Sequence, residues 1–224
     1  MPPRHEPESA PGMEREAFVR APETRVFLIR HGKTSEPDRF HGAESNVGLS
    51  ERGVRQARLL AGHLASLQLV GVYSSPMSRA LETAGPIAIA CGLEIETVPA
   101  FHECGLGRLS GLSKEKGEAD YVELTRRWAA GEVHFQHEAG ESYAELRARI
   151  HQPFLELAQR HRGAAFAVVS HGLVVRCLLT SLVAGLALGD FERIQVRTGS
   201  FSELRWDGSQ WIAEALNARP PSHS

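Results

Sequence analysis

Apolar residues in this chain fall into two patterns: short unbroken runs, and longer stretches with one apolar position every three or four residues. Val26-Phe27-Leu28-Ile29 and Phe166-Ala167-Val168-Val169 belong to the first kind, and each leads into a His-Gly step, Arg30-His31-Gly32 and Ser170-His171-Gly172. Runs this short, aliphatic and β-branched, read as strands buried on both faces, the kind found in parallel sheets. The second pattern begins behind Ser50, a residue suited to capping, where Val54, Ala57, Ala61 and Leu64 predict a helix over 51–66. A strand over 70–73 follows, then a helix opened by Pro76, carrying Arg79 near its start and ending at Gly92. Leu93, Ile95 and Thr97 alternate with charged neighbours as a third strand, 93–98.

From 100 to 140 the pattern loosens around one predicted helix, 119–130; irregular insertions of this length in compact domains are often lids or binding loops. Glu141-Ser142 opens a long helix with Leu146, Ile150, Phe154 and Leu157 on one face and Pro153 inside it as an expected kink. A strongly apolar helix over 173–184, closed by Gly185, follows the second His-Gly strand. Segments 193–196, 200–206 and 210–215 read as terminal strands, the last two joined across Asp207-Gly208 as a tight hairpin. Alternating β and α elements in this order predict a three-layer α/β/α sandwich with a mostly parallel central sheet. One domain over 25–216 is expected, with the insertion at about 100–140 inside it. A proline-rich leader over 1–24, with Met13 as an alternative start, and a tail over 217–224 are expected to be disordered.

Composition narrows the class of ligand. The formal charge of the 224 residues is only −2, and no dense Lys/Arg stripe appears, which argues against nucleic acid as partner and for a small molecule. No apolar stretch suits a signal peptide or a membrane anchor. The three cysteines, Cys91, Cys104 and Cys177, lack metal-site spacing and suit free thiols in the cytoplasm. His134 and His137 stand three apart without partner cysteines or carboxylates, so they are expected to decorate a loop and not to bind metal. Apolar terminal strands leave a homodimer open.

Ligands of open α/β sheets bind beyond the carboxyl ends of the strands, where both imidazoles would arrive. Phosphoryl transfer needs fixed cations around the equatorial oxygens and an attacking atom in line with the leaving oxygen. Arg30 and Arg79 offer planar donor forks, and the helix start at Gly172 offers backbone N–H groups. One imidazole with a free nitrogen can be the nucleophile, while the other, protonated, would clamp the phosphoryl group. Glu103, just after the third strand, is the candidate acid, because a bound dianion favours the protonated form of a neighbouring carboxyl. No step calls for a metal or another cofactor. Trp128, Phe135 and Tyr121 are expected either to line a lid over the leaving group or to pack the insertion's core.

With these residues in order, the chain resembles the histidine phosphatase superfamily, the phosphoglycerate mutase-like group. Arg30-His31-Gly32-Lys33-Thr34 resembles its hallmark, and Leu49-Ser50-Glu51-Arg52-Gly53 through Gln56-Ala57 its first-helix signature. Ser74-Ser75-Pro76-Met77-Ser78-Arg79-Ala80 through Thr83-Ala84 is similar to the stretch with its second arginine. Phe101-His102-Glu103, Gly140-Glu141-Ser142 and Val169-Ser170-His171-Gly172 complete the order over 25–204. The resemblance implies a phosphohistidine at His31, a pocket of Arg30, Arg79 and His171, and Glu103 as proton donor. It places Thr34, Asp38 and Arg39 in a substrate loop, where Pro37 and Asp38 stand in place of the family's asparagine. Ser110 replaces a glutamate the family favours after the acid. The expected activity is a metal-independent phosphatase acting on a small phosphorylated metabolite. The rivals are a cofactor-dependent phosphoglycerate mutase, whose Pro-Glu-Arg-His-Tyr-Gly-like run is absent around Glu103, and a non-catalytic phosphate binder.

Overall fold

The computed structural model describes residues 23–221, so Met13 and most of the expected leader lie outside the described residues. Strand β1 (Thr24–Arg30) is followed by α1 (Glu51–Leu64), β2 (Leu69–Ser74), α2 (Ser78–Cys91) and β3 (Ile95–Thr97). After single 3-10 turns at Pro99–Phe101 and Gly107–Leu109 come α3 (Lys114–Ala129), α4 (Tyr143–Arg160), β4 (Ala165–Ser170) and α5 (Gly172–Leu182). A further 3-10 turn, Leu188–Asp190, precedes the hairpin of β5 (Phe201–Trp206) and β6 (Trp211–Ala218). The six strands form one sheet in the order β3-β2-β4-β1-β5-β6, in which β5 alone runs against the others.

Strand periodicity builds the three layers. In β1 and β4, Phe27, Ile29, Ala167 and Val169 face α1 and α2, joining Leu60, Ala84 and Ile87 in one core cluster. Their neighbours Val26, Leu28, Phe166 and Val168 face the opposite layer, where Leu146, Ile150, Phe154 and Leu178 pack. The expected sandwich is therefore observed, with helices covering both faces of a sheet whose inner strands are apolar on both sides.

Most local signals act as expected. The Ser50 hydroxyl accepts from Gly53 N and caps α1, and Ser142 and Glu145 form a capping box at the start of α4. Pro153 lies inside α4. Five elements differ. Pro76 precedes α2, whose N-cap is Met77, because Ser75 and Pro76 turn the chain from the sheet before the helix begins. Helix α3 starts at Lys114 behind its cap Ser113, five residues before the apolar pattern becomes visible, because its first turn is polar and exposed. Segment 193–196 is not a strand: Ile194 and Val196 are buried in alternation, yet Ile194 N bonds to Asp190 O and Val196 O accepts from Arg30. The hairpin connection is longer than a two-residue turn, with Asp207 Oδ1 accepting from Ser209 N and Gln210 N and holding its carboxyl down to about 2. Strand β6 also extends to Ala218, into the segment expected as tail.

Candidate active site

Strands β1 and β4 are parallel neighbours with Arg30 opposite Ser170, so the residues that follow them emerge side by side. The helices after them, α1 and α5, cover opposite faces of the sheet, and the crevice between such strand ends is where open α/β sheets bind ligands. His31 and His171 bring their ring centroids within 5.2 Å, tilted by 59°. Close backbone approach fixes this corner. A Cβ on Gly32 would lie 2.6 Å from Gly53 O, and one on Gly53 would lie 2.2 Å from Lys33 O, so two glycines let the loop press onto α1. Gly32 N then donates to Thr83 Oγ1 at 3.0 Å, and Lys33 N to Gln56 Oε1 at 2.8 Å.

His31 is buried at 5% exposure, with Nδ1 2.7 Å from Gly32 O. A carbonyl oxygen only accepts, so Nδ1 carries the proton and the neutral ring keeps its lone pair on Nε2. Burial, then the charges of Arg30 and Arg79, push its pKa well below 6.5. His171 is held differently. Arg79 Nε donates to its Nδ1 at 3.2 Å, which leaves the ring proton on Nε2, 2.7 Å from Ser75 Oγ. Burial, followed by His31, Arg79 and Arg30, depresses its pKa well below 6.5 as well. The expected protonated clamp is thus a neutral imidazole here, because it sits without solvent among cations.

Arg79 is fully buried, and its remaining donors hold the loop after β1, with Nη1 2.7 Å from Ser45 O and Nη2 3.4 Å from the carbonyls of His41 and Gly42. Arg30 Nη1 bonds to Val196 O at 2.6 Å, while its buried Nε has no partner. Gly172 opens α5 beneath that guanidinium, since a Cβ there would stand 3.3 Å from Arg30 Cζ. Glu103 lies at the same helix start: Oε2 accepts from Gly172 N at 3.0 Å and Oε1 from Cys104 N at 2.9 Å. Its loop is stapled by Arg149, which donates to the carbonyls of Ala100, His102 and Glu103 and pairs with Glu141 through two bonds of 2.8 and 2.7 Å.

Around His31 opens a cavity of about 590 Å³. Thr34, Asp38 and Arg39 all line it, and the loop that carries them is clasped to the start of α3 through Lys114 N to Asp38 O at 2.8 Å and Arg39 Nη1 to Gly111 O at 2.6 Å. The aromatic candidates separate. Tyr121 lines the cavity and stacks on Phe40 with centroids 5.1 Å apart, whereas Trp128 is core and donates to Phe135 O. His137 turns its ring to Asp120 O at 2.9 Å and to Arg108 at 3.4 Å. Burial pushes the Cys104 thiol far up, so it stays protonated beside Glu103. All three cysteines are free.

Arg52, Lys114 and Arg176 also line the cavity, and sequence reasoning gave them no role. Arg176 was findable, because it stands one helical turn after Gly172 on the same face of α5. Arg149 was not, since its carbonyl partners lie more than forty residues away in the chain.

The profile of the histidine phosphatase superfamily (branch 1) matches residues 26–219. The chain belongs to that superfamily. Among relatives of the chain, the protein named probable phosphoglycerate mutase GpmB of Yersinia pestis is 31% identical over 191 residues, covering 84% of this chain and 88% of the relative. A mycobacterial glucosyl-3-phosphoglycerate phosphatase shares the fold with a TM-score of 0.76 at 24% identity, over 88% of this chain and 99% of its own. The alpha-ribazole phosphatase from Shigella flexneri superposes with a TM-score of 0.73 at 23% identity, over 89% and 99%. Among the described residues, no helix is long and apolar enough to cross a membrane.

Proposed function

We propose that this histidine phosphatase hydrolyses a small phosphomonoester through a phosphohistidine on His31, without a metal. The observation that carries the reading is the Nδ1 bond from His31 to Gly32 O, which leaves Nε2 as the lone-pair nitrogen at the cavity. Nε2 attacks phosphorus while the Arg30 guanidinium at the cavity wall takes up charge on the equatorial oxygens, the Gly172 N–H being given to Glu103 Oε2. Arg79 holds His171 beside His31 as a neutral imidazole with its proton on Nε2. As the N–P bond forms, the ester P–O bond breaks and protonated Glu103 gives its proton to the leaving oxygen. Water then attacks phosphorus, Glu103 takes a proton from it, and the N–P bond breaks to release inorganic phosphate.

Phosphoglycerate mutase is the second reading, favoured by the likeness to GpmB. It uses the same half-reaction but returns the phosphoryl group to a second acceptor. The structural likeness to phosphatases and the composition around Glu103, Phe101-His102-Glu103-Cys104-Gly105, support hydrolysis instead. A cytoplasmic enzyme is consistent with three unpaired thiols. The test is release of inorganic phosphate from a panel of small phosphomonoesters with EDTA present, beside a phosphoglycerate mutase assay with bisphosphoglycerate added. Hydrolysis without mutase turnover is expected; brisk mutase turnover would overturn the choice.

A further inference from the structure

A transferring phosphoryl group spreads charge over three equatorial oxygens, and most donors around His31 already have partners. Arg79 gives Nε to His171 and its other nitrogens to the carbonyls of His41, Gly42 and Ser45. Gly172 N goes to Glu103 Oε2, and His171 Nε2 to Ser75 Oγ. Arg30 gives Nη1 to Val196 O and keeps its Nε buried, so chiefly Nη2 is left to it. Arg52 and Lys114 on the cavity wall carry their charges on exposed, rotatable stems, whereas catalysis gains most from donors fixed before the reaction. Tyr121 is such a fixed donor. Its hydroxyl makes no hydrogen bond among the described residues, yet it is not one of the two sealed orphan atoms, Arg30 Nε and Arg176 Nε, so it opens onto the cavity its residue lines.

Building on the phosphatase reading, we propose that Tyr121 is a further catalytic residue, whose hydroxyl donates a hydrogen bond to a phosphoryl oxygen on the side of the cavity formed by α3. Tyr121 shares the cavity wall with Arg30, His31 and Glu103. Besides burial, the charges of Arg176, Arg30 and Glu103 all act on its hydroxyl, which puts that end of the side chain on their side of the cavity. The ring is set by its stack on Phe40, with centroids 5.1 Å apart and 27° between the planes. Phe40 is itself pinned to the loop before α3, its N donating to Leu112 O and its O accepting from Gly111 N, both at 2.9 Å. Gly117, one turn before Tyr121, makes the room, since a Cβ there would lie 2.9 Å from the Phe40 ring. The phenol also keeps its proton. Burial raises its pKa, Arg176 and Arg30 pull against that, and a bound dianion favours the protonated form further. Tyr121 therefore donates a hydrogen bond throughout and transfers no proton, which leaves the acid and base work to Glu103.

The test compares the whole chain with its Tyr121→Phe variant, which removes the hydroxyl and keeps the ring on Phe40. For ethyl phosphate and p-nitrophenyl phosphate alike, kcat/KM should fall by roughly ten- to a hundredfold, the size of one hydrogen bond to a charged oxygen. Inhibition by orthovanadate, which offers the same oxygens without a leaving group, should weaken by a similar factor while the denaturation midpoint holds. A loss confined to the alkyl ester overturns the inference, because it would put the donor on the leaving oxygen. Unchanged kcat/KM with unchanged vanadate inhibition overturns it too. If the phenylalanine variant fails to fold, 3,5-difluorotyrosine at position 121 keeps the ring and hydroxyl but ionises near neutrality. It should then add an alkaline loss of kcat/KM that the wild type lacks, and a pH profile that superimposes on the wild type sinks the inference. Hydrolysis that depends on His31 but ignores the hydroxyl of Tyr121 defeats this inference alone; hydrolysis that survives His31→Ala defeats the phosphatase mechanism beneath it.

Discussion

Arg79 Nε donates to His171 Nδ1 at 3.2 Å, and because an arginine cannot accept, that one bond fixes which nitrogen of His171 carries the proton. Arg79→Lys removes the fork that reaches both His171 and the carbonyls of His41, Gly42 and Ser45. We expect kcat/KM to fall by about a hundredfold or more, in the range seen when one fixed donor is lost. Nitrogen-15 shifts of the imidazoles check the cause, since His171 should lose its single tautomer while His31 keeps its own.

Arg149 acts on Glu103 through the backbone that carries it. Arg149→Gln should loosen the proton donor, so turnover of alkyl phosphates, whose leaving alkoxide needs the proton, should drop roughly tenfold more than that of p-nitrophenyl phosphate. Partial rescue is expected from Arg149→Lys. Equal losses for good and poor leaving groups would mean that Arg149 only supports the fold.

The contact of Gly53 with the loop after β1 is steric. A Cβ at Gly53 would sit 2.2 Å from Lys33 O, in backbone that cannot swing aside. Gly53→Ala should destabilise the fold by about 2 kcal/mol, despite alanine's higher helix propensity. Chemical denaturation measures it.

Both site histidines resist protonation in the folded state, with burial as the leading cause. Their unfolded pKa is near ~6.5, so below that pH the unfolded chain binds protons that the native site refuses. Their contribution is therefore full above the unfolded value and is lost as pH falls toward the depressed folded values. The denaturation midpoint should decline between pH 7.5 and 5.5 (roughly the interval where free imidazole titrates), and His31→Asn with His171→Asn should flatten that decline. An unchanged slope in the double variant would remove these histidines from the account.

The layered fold was legible because its signals are local. The apolar runs before His31 and His171, the cap at Ser50 and the capping box at Ser142 each act within a few residues. The failures come where long-range partners decide. Ile194 and Val196 alternate like a strand, yet their backbone groups go to Asp190 and Arg30. The residue types of the candidate site were legible, and parallel pairing of β1 with β4 brings His31 beside His171. What the sequence could not carry was the network behind them. The tautomer of His171 depends on Arg79, 92 residues away, and the staple of Arg149 on a loop 46 to 49 residues away.

The central claim is a covalent phosphoryl group on His31. It is tested most directly by quenching the enzyme during turnover of a labelled phosphomonoester and mapping the acid-labile, base-stable label by peptide. The account predicts label on the peptide containing Arg30-His31-Gly32 and none in His31→Ala. Label on His171 instead, or steady turnover by a folded His31→Ala variant, would contradict it.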